Sequence, residues 1–178
     1  MAVRSFCDNG VFFRMYNIGE LIVYGSTGVC RVTDIIEHAE NGKRFYTLKP
    51  LFQTCVISAP VGSDKVFMRP VITHDEALAL IDGIPTVEAE IFHSRVTRQL
   101  TEHYEAALKR HSCGDLVRLT KSIHLKKVEA EAQKKKLGAV DERYMRRAED
   151  LLFGELSVAL NIPKEDVHDF IFKRVGAA

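Results

Sequence analysis

The sequence predicts an α+β protein in which a small β barrel precedes an all-helical bundle. Short segments rich in β-branched residues, separated by glycine-containing turns, fill residues 17–71. After residue 73 the apolar residues recur at the spacing of three and four that is typical of helices with one buried face. The halves also differ in charge: residues 1–93 hold 8 Lys/Arg and 11 Asp/Glu, and residues 94–178 hold 17 and 13. These changes predict two domains.

The predicted strands are short, and together they are too small for two packed sheets. A Gly25-Ser26-Thr27-Gly28 turn follows the first strand. Asn41-Gly42, a strong hairpin signal because both residues accept positive φ, joins the second strand to the third. Such a pattern fits a strongly curved barrel of the SH3 or Tudor kind, which closes on itself and limits exposed edges. The predicted strands cover residues 21–24, 29–37, 45–48, 55–57 and 65–68.

A capping box marks the change from strands to helices. Thr73 and Glu76 have the spacing at which each side chain satisfies the free backbone amide of the other residue. The helix that follows is predicted to end at Gly83, and Pro85 comes directly after it. We therefore expect a tail over residues 1–14, a β domain over 15–84 and a helical domain over 85–178.

The helical domain is predicted to contain four helices. The first covers residues 91–110, with Ile91, Val96 and Leu100 on its apolar stripe. Asp115 is expected to cap the second, which ends near the lysines at 134–136. The third, residues 140–160, has the most regular apolar stripe, and the last lies near residues 167–175.

Positive charge is concentrated in the helical half, with 14 Lys/Arg against 7 Asp/Glu over residues 94–147. One interpretation is a binding surface for a polyanion such as DNA. The other is that lysines and arginines coat the exposed faces of helices, as they do in many proteins that bind no polyanion. Charge alone leaves both open.

No segment has the pattern of a catalytic or metal site. The 4 cysteines lack CxxC spacing, and the Gly25–Gly28 turn precedes a strand and lacks the lysine of a phosphate-binding loop. His111 and Cys113 are close in sequence, but catalytic Cys–His pairs are assembled in space from distant segments. No apolar run approaches the roughly 20 residues that span a bilayer. The sequence favours a reduced, cytosolic binding protein that needs no cofactor and no metal.

Several segments together resemble one family. The segment Tyr16–Tyr24 with Gly28, then 59–61 and 66–71, resembles the opening and closing strands of the CarD family. The same opening begins the RNA polymerase-interacting domain of transcription-repair coupling factors. In the helical half, residues 104–108, 114–115 and 153–156 extend the resemblance, so that it covers about residues 15–160.

The resemblance implies a function in transcription. In the CarD family a Tudor-like domain binds the RNA polymerase β subunit, and a compact helical domain contacts promoter DNA at the upstream edge of the melted region. The opened DNA is stabilised by phosphate contacts and by an aromatic wedge in the minor groove. By this resemblance the chain is a bacterial, cytoplasmic, nucleoid-associated regulator. Its partners would be RNA polymerase and promoter DNA, with no membrane and no small-molecule substrate.

The resemblance also suggests site residues, with two departures from the family pattern. The wedge tryptophan of relatives aligns with Leu100, and barrel arginines of relatives align near His38 and Ser58. The polymerase contact is therefore expected to depend more on strand-edge hydrogen bonds than on ion pairs. The polymerase-binding candidates are His38, Ile57, Ser58 and Arg69, and the DNA-binding candidates are Arg95, Arg98, Leu100, Lys121, Lys126 and Lys127.

Two alternatives accompany this interpretation. The chain could be an adaptor that binds polymerase or another protein without contacting DNA. Leu100 could also be a core residue instead of a wedge, because it lies four residues from both Val96 and Tyr104 on one helical face.

Overall fold

A computed structural model describes residues 15–37, 42–63 and 65–176 of the chain. Contacts divide it into two compact units, Met1–Val71 and Ile72–Ala178. The tail predicted for residues 1–14 lies outside the described residues, as do His38 and Asn41. Among these residues the first unit is a five-stranded antiparallel sheet and the second contains five helices, which confirms the predicted fold class.

The strands of the β unit are ordered β4-β3-β2-β1-β5, so β4 and β5 form the two edges of the hydrogen-bonded sheet. A 3-10 turn over Gly25–Thr27 joins the first two strands. Gly25 has φ of +45° and a Cβ there would lie 3.0 Å from Val66 Cγ1, so this turn requires glycine. The strands are β1 Leu21–Tyr24, β2 Gly28–Glu37, β3 Arg44–Pro50, β4 Ile57–Pro60 and β5 Met68–Pro70.

One face of the sheet forms the core of the β unit. Side chains on alternate positions of the paired strands point to this face, because successive residues of a strand point to opposite sides. A register shift between Val32 and Asp34 on β2 resets the alternation along that strand. The Tyr46 hydroxyl accepts a hydrogen bond from the Tyr16 amide at 3.0 Å, which ties the segment before β1 to the core. The core residues are Tyr16, Ile22, Cys30, Val32, Tyr46, Leu48 and Ala59.

The last two strands lie two to three residues later than predicted. Each observed strand ends in a residue that cannot donate to a ladder, Pro60 in β4 and Pro70 in β5. Both prolines nevertheless lie in edge strands, where an amide that faces away from the neighbouring strand is not needed. Pro60 pairs with Phe45 and Pro70 pairs with Ile22.

The helical unit has a larger hydrophobic core than the β unit. Helices α3 and α5 each pack against α4, and α1 packs against both α4 and α5. None of the helices in the described part of the chain is long and apolar enough to cross a membrane. The helices are α1 His74–Gly83, α2 Thr97–Leu108, α3 Cys113–Ala132, α4 Ala139–Leu160 and α5 Val167–Gly176.

The start of α1 confirms the predicted capping box. The Glu76 amide donates to Thr73 Oγ1 at 3.2 Å, and the Thr73 amide donates to a Glu76 carboxylate oxygen at 2.7 Å. The division of the chain nevertheless differs from the predicted boundary at residue 84. Ala77 and Ile81 on α1 are fully buried in the core of the helical unit, so α1 belongs to that unit.

The first helix of the predicted helical domain begins later than expected. Residues 87–96 form no helix, and α2 starts at Thr97. Val96 is 52% exposed, so it does not share the buried stripe with Leu100. Ser94 Oγ accepts from the Val96 amide at 3.0 Å, a local bond that competes with helix formation.

Asp115 does not cap α3 as predicted. Ser112 is the residue before that helix, and Asp115 lies inside its first turn, where it pairs with Arg110 and Arg118. A carboxylate in the first turn still interacts favourably with the positive end of the helix dipole.

Candidate functional site

One side of the β4 strand pairs with no strand in the described part of the chain. Val61 N–H donates to Arg44 O at 2.9 Å, which fixes the phase of the ladder between β3 and β4. The backbone N–H and C=O groups of successive residues in an antiparallel strand point in alternate directions. Those of Ile57 and Ala59 therefore point toward β3. The amide and carbonyl of Ser58, between them, therefore point away from the sheet. We call the main chain of Ile57–Pro60 on this side the β4 edge.

The side chains of β4 divide between the two faces. Ser58 is exposed, whereas Ile57 is half-buried and packs against the core of the β unit. Large apolar side chains are exposed just before the strand, with Val56 at 69% and Phe52 at 44%. The candidates Ile57 and Ser58 thus belong to one edge, where an apolar segment adjoins backbone groups that no described strand pairs with.

Arg69 belongs to the other edge of the sheet. It lies on β5 opposite Val23, and its Nη1 donates to the carbonyl of Pro70 at 3.0 Å. In the hydrogen-bonded order β5 is separated from β4 by three strands. The sheet therefore does not bring Arg69 beside Ser58 through pairing. The fourth candidate, His38, lies outside the described residues.

Leu100 lies in the core of the helical unit. It is 8% exposed and belongs to the same buried cluster as Tyr104, Leu108 and Leu116. A side chain in that position packs against the core and is not presented at the surface of the helical unit. This position agrees with the alternative that Leu100 is a core residue.

Two lysines predicted to bind DNA instead hold the irregular segment before α2. The Lys121 ammonium donates to the carbonyls of Ile84, Pro85 and Val87 at 2.7–3.0 Å. Lys126 donates to the Phe92 carbonyl at 3.2 Å. These α3 side chains satisfy backbone carbonyls of the 3-10 turn Ile84–Thr86 and of the irregular residues 87–96 that follow it, which holds both in place.

Lys126 also completes a buried polar cluster. Its ammonium lies 2.8 Å from Asp141 Oδ1, which also accepts a hydrogen bond of 2.5 Å from the Tyr104 hydroxyl. Burial, followed by the hydrogen bond to Asp141, raises the pKa of Tyr104 far above its ordinary range. Gly138 permits this arrangement, because a Cβ there would lie 2.9 Å from Asp141 Oδ2. The sequence shows the charge of Lys126 but not its pairing with Asp141, which lies 15 residues away.

The remaining three DNA candidates are exposed. Arg98 forms an ion pair of 2.7 Å with Glu102 one turn later, and Lys127 lies 4.0 Å from Glu131. Arg95 is exposed in the segment just before α2. Surface pairs of this kind hold a side chain only weakly, so Arg98 and Lys127 remain able to bind phosphate.

Sequence reasoning missed a basic surface on α4. Arg143, Arg146 and Arg147 occupy one face of the helix and, together with the carboxylates of Glu142 and Asp150, line a depression of about 330 Å³. We call this surface the α4 arginine face. Arg147 is held by Glu105 at 2.7 Å, while Arg143 lies over the Tyr144 ring at 5.0 Å and Arg146 lies 3.6 Å from Glu142. The i, i+3, i+4 spacing of the arginines was the available sequence signal.

Glu105 explains why Arg147 differs from its neighbours. The Tyr144 hydroxyl and Arg147 both donate to Glu105 Oε1, at 2.8 and 2.7 Å. The hydrogen bond from Tyr144, together with the positive charges of Arg147 and Lys109, holds the pKa of Glu105 below its usual range. Arg147 therefore stabilises an internal carboxylate, and Arg143 and Arg146 carry the outward charge.

Cys113, the cysteine that lies close to His111 in the sequence, is buried. Cys113 is 7% exposed, and its Sγ lies 3.0 Å from Glu155 Oε2, a buried carboxylate that also accepts from the Ile72 amide at 3.1 Å. His111 occupies the turn before α3 with φ of +53°. Among the described residues, no group of three or more His, Cys, Asp or Glu side chains could hold a metal ion.

Comparison with known proteins bears on the β unit. Residues 16–72 match the family model of the CarD-like/TRCF RID domain, and this range covers every strand of the unit. No curated protein matches the chain. The resemblance noted in the sequence from Tyr16 to Val71 is thereby confirmed. Over residues 16–72 the chain is thus similar to the RID domain, the RNA polymerase-interacting domain, of CarD-like and TRCF proteins.

Proposed function

We propose that the chain is a transcription regulator that binds the RNA polymerase β subunit through its β unit and stabilises open promoter DNA through its helical unit. The observation that carries the proposal is the match of residues 16–72 to the CarD-like/TRCF RID domain. The protein would act in the bacterial cytoplasm, associated with the nucleoid. It would act by binding more tightly to open than to closed promoter complexes.

The β4 edge is the proposed polymerase contact. An open strand edge can accept a partner strand through main-chain hydrogen bonds, and neighbouring apolar side chains add contact area. Ser58 offers an outward amide and carbonyl at the middle of β4, and the exposed Val56 and Phe52 precede the strand. This arrangement supports strand addition, the contact that the sequence leads us to expect in preference to ion pairs.

A proline at position 58 tests this contact. Ser58→Pro removes the outward amide but no bond to β3, so the β unit should stay folded. We expect binding of the isolated β subunit to weaken about tenfold or more, since a hydrogen bond is lost and the proline ring obstructs the incoming strand. Ser58→Ala keeps the amide and should bind like wild type. Equal affinity for the proline variant and wild type, measured by biolayer interferometry, would exclude this edge.

The DNA contact is proposed for the exposed basic residues of the helical unit. Arg143 and Arg146 on the α4 arginine face join Arg95, Arg98 and Lys127 as candidates. Lys121 and Lys126 are left out because their ammonium groups bind carbonyls and a buried carboxylate. Binding would be weak and without base preference, because phosphate contacts carry no sequence information.

The salt dependence of binding tests the DNA contact. Each lost phosphate contact lowers the slope of log K against log salt by about 0.9 on duplex DNA. The double variant Arg143→Gln/Arg146→Gln should therefore lower the slope by about 2. The matched pair Arg118→Gln/Lys173→Gln removes two exposed charges elsewhere in the helical unit and should leave the slope nearly unchanged. Fluorescence anisotropy with a promoter fragment gives both slopes.

The alternative of an adaptor makes the opposite prediction. The burial of Leu100 and the internal bonds of Lys121 and Lys126 favour it, because they remove three of the residues proposed for DNA. An adaptor would bind polymerase normally and show a flat salt dependence with DNA. Affinity that does not change between low and moderate salt would leave the adaptor as the function.

A further inference from the structure

An apolar groove crosses the helical unit between α3 and α5. It has a volume of about 470 Å³, and the buried side chains of Val117 and Leu152 lie at its floor. Its rim is open to solvent, since Phe172 is 74% exposed and His168 is also exposed. None of the polymerase or DNA candidates except Lys121 lines it, and Lys121 is occupied by carbonyls at one end.

Three helices, α3, α4 and α5, each line this groove with one side of the helix. Each contributes lining residues at spacings of three, four and seven, which is one side of a helix over two turns. Two turns correspond to roughly 10 Å of helix. The groove therefore has the length and the apolar character that an additional helix would fill. The lined faces run from Val117 to His124 on α3, from Met145 to Phe153 on α4 and from His168 to Val175 on α5.

A carboxylate lies within this apolar surface. Glu149 lines the groove, and none of the described side chains forms a hydrogen bond or an ion pair with it. Burial is the main reason that its pKa is raised. The charged and titratable groups that act on it are His168 on α5, the adjacent Asp150, and Lys127 and His124 on α3. Asp150 itself is paired with Lys164 at 2.9 Å. A partly buried carboxylate without a partner favours a ligand that carries a cation.

We propose that this groove binds an amphipathic helix of a partner protein, with apolar residues at i, i+3 or i+4, and i+7 and a lysine or arginine that pairs with Glu149. The length of the three lining faces matches the spacing of such anchors. The charge of Glu149 determines that the helix is basic near its centre. This site lies outside the surfaces proposed for polymerase and DNA, and it does not depend on either of them.

Selection from a displayed library of 14-residue helical peptides against the full-length chain tests the proposal. Enriched peptides should combine the apolar spacing with a central lysine or arginine. A synthetic peptide of the enriched sequence should bind about tenfold more weakly to Glu149→Gln, which removes the charge and keeps the shape. The affinity for Asp150→Asn, which removes the neighbouring charge outside the groove, should stay unchanged.

A second pair of variants tests the apolar contact. Phe172→Ser removes an exposed rim side chain and should also weaken the peptide severalfold, whereas Val96→Ser removes a similarly exposed apolar residue elsewhere and should not. No enrichment, enriched peptides without a basic residue, or equal binding to Glu149→Gln would overturn the proposal. Concentration-dependent dimers that Phe172→Ser abolishes would also overturn it, in favour of a second copy of this chain as the occupant.

Discussion

The Lys126 ammonium and the Asp141 carboxylate lie 2.8 Å apart, with only 14% and 5% of their side chains exposed. A buried pair of this kind contributes little net stability compared with apolar residues, but the loss of one partner leaves the other charge uncompensated. Among the described side chains, the hydroxyl of Tyr104 would be the one remaining hydrogen-bond partner of Asp141 if Lys126 were removed. The positive charge of Lys126 therefore serves to compensate the buried carboxylate of Asp141.

We expect Lys126→Met to lower the free energy of unfolding by about 3–5 kcal/mol, because it leaves the Asp141 carboxylate buried without its cation. The neighbouring Lys127 is 54% exposed, and Lys127→Met should change stability by no more than about 0.5 kcal/mol. Urea denaturation measures both. If Lys126→Met weakened DNA binding while its stability stayed at the wild-type value, Lys126 would be a phosphate contact after all.

At the scale of elements, patterns confined to neighbouring residues could be predicted from the sequence. The capping box and the long helix α4 depend on spacing alone, and the structure has α4 over Ala139–Leu160, within a residue of the prediction. The segment before α2 could not be predicted, because its geometry depends on bonds from Lys121 and Lys126 on α3. The bounds of the edge strands also depend on pairing between distant segments, such as that of Pro60 with Phe45, which the local sequence does not show.

The capping box gives a prediction for α1. Thr73→Ala removes the oxygen that accepts from the Glu76 amide, and it should cost about 1 kcal/mol of stability. Thr97 is a matched control, since it is an exposed threonine at the start of α2 where no side-chain cap is present. Thr97→Ala should be nearly neutral. Differential scanning calorimetry compares the two, and equal melting temperatures would mean that the Thr73 cap contributes nothing.

At the scale of the whole molecule, the position of α1 decides where the chain can be divided. Sequence reasoning assigned the helix to the β domain because Gly83 and Pro85 suggested an end there. In the structure α1 belongs to the helical unit, because of contacts with distant helices that the local sequence does not show. Arg174 of α5 binds Asp82 at 2.5 and 2.7 Å, and Glu155 of α4 accepts from the Ile72 amide.

Two fragments of the helical unit should therefore differ strongly in stability. Residues 72–178 retain Ala77 and Ile81, both fully buried, and should unfold cooperatively. Residues 85–178 lose both side chains and expose the surface of α4 and α5 that α1 covers. The loss should be at least about 2–5 kcal/mol, the range for removal of one large buried aliphatic side chain.

The corresponding β fragments provide the control for this division. Residues 15–71 and 15–84 should have the same melting temperature. The apolar face of α1 packs against the helical unit, which is absent from both fragments, so α1 adds no buried contact to residues 15–84. Circular dichroism melts of all four fragments decide the question. If residues 15–84 melted well above 15–71 while 85–178 matched 72–178, α1 would belong to the β domain. The boundary at residue 84 would then be the correct one.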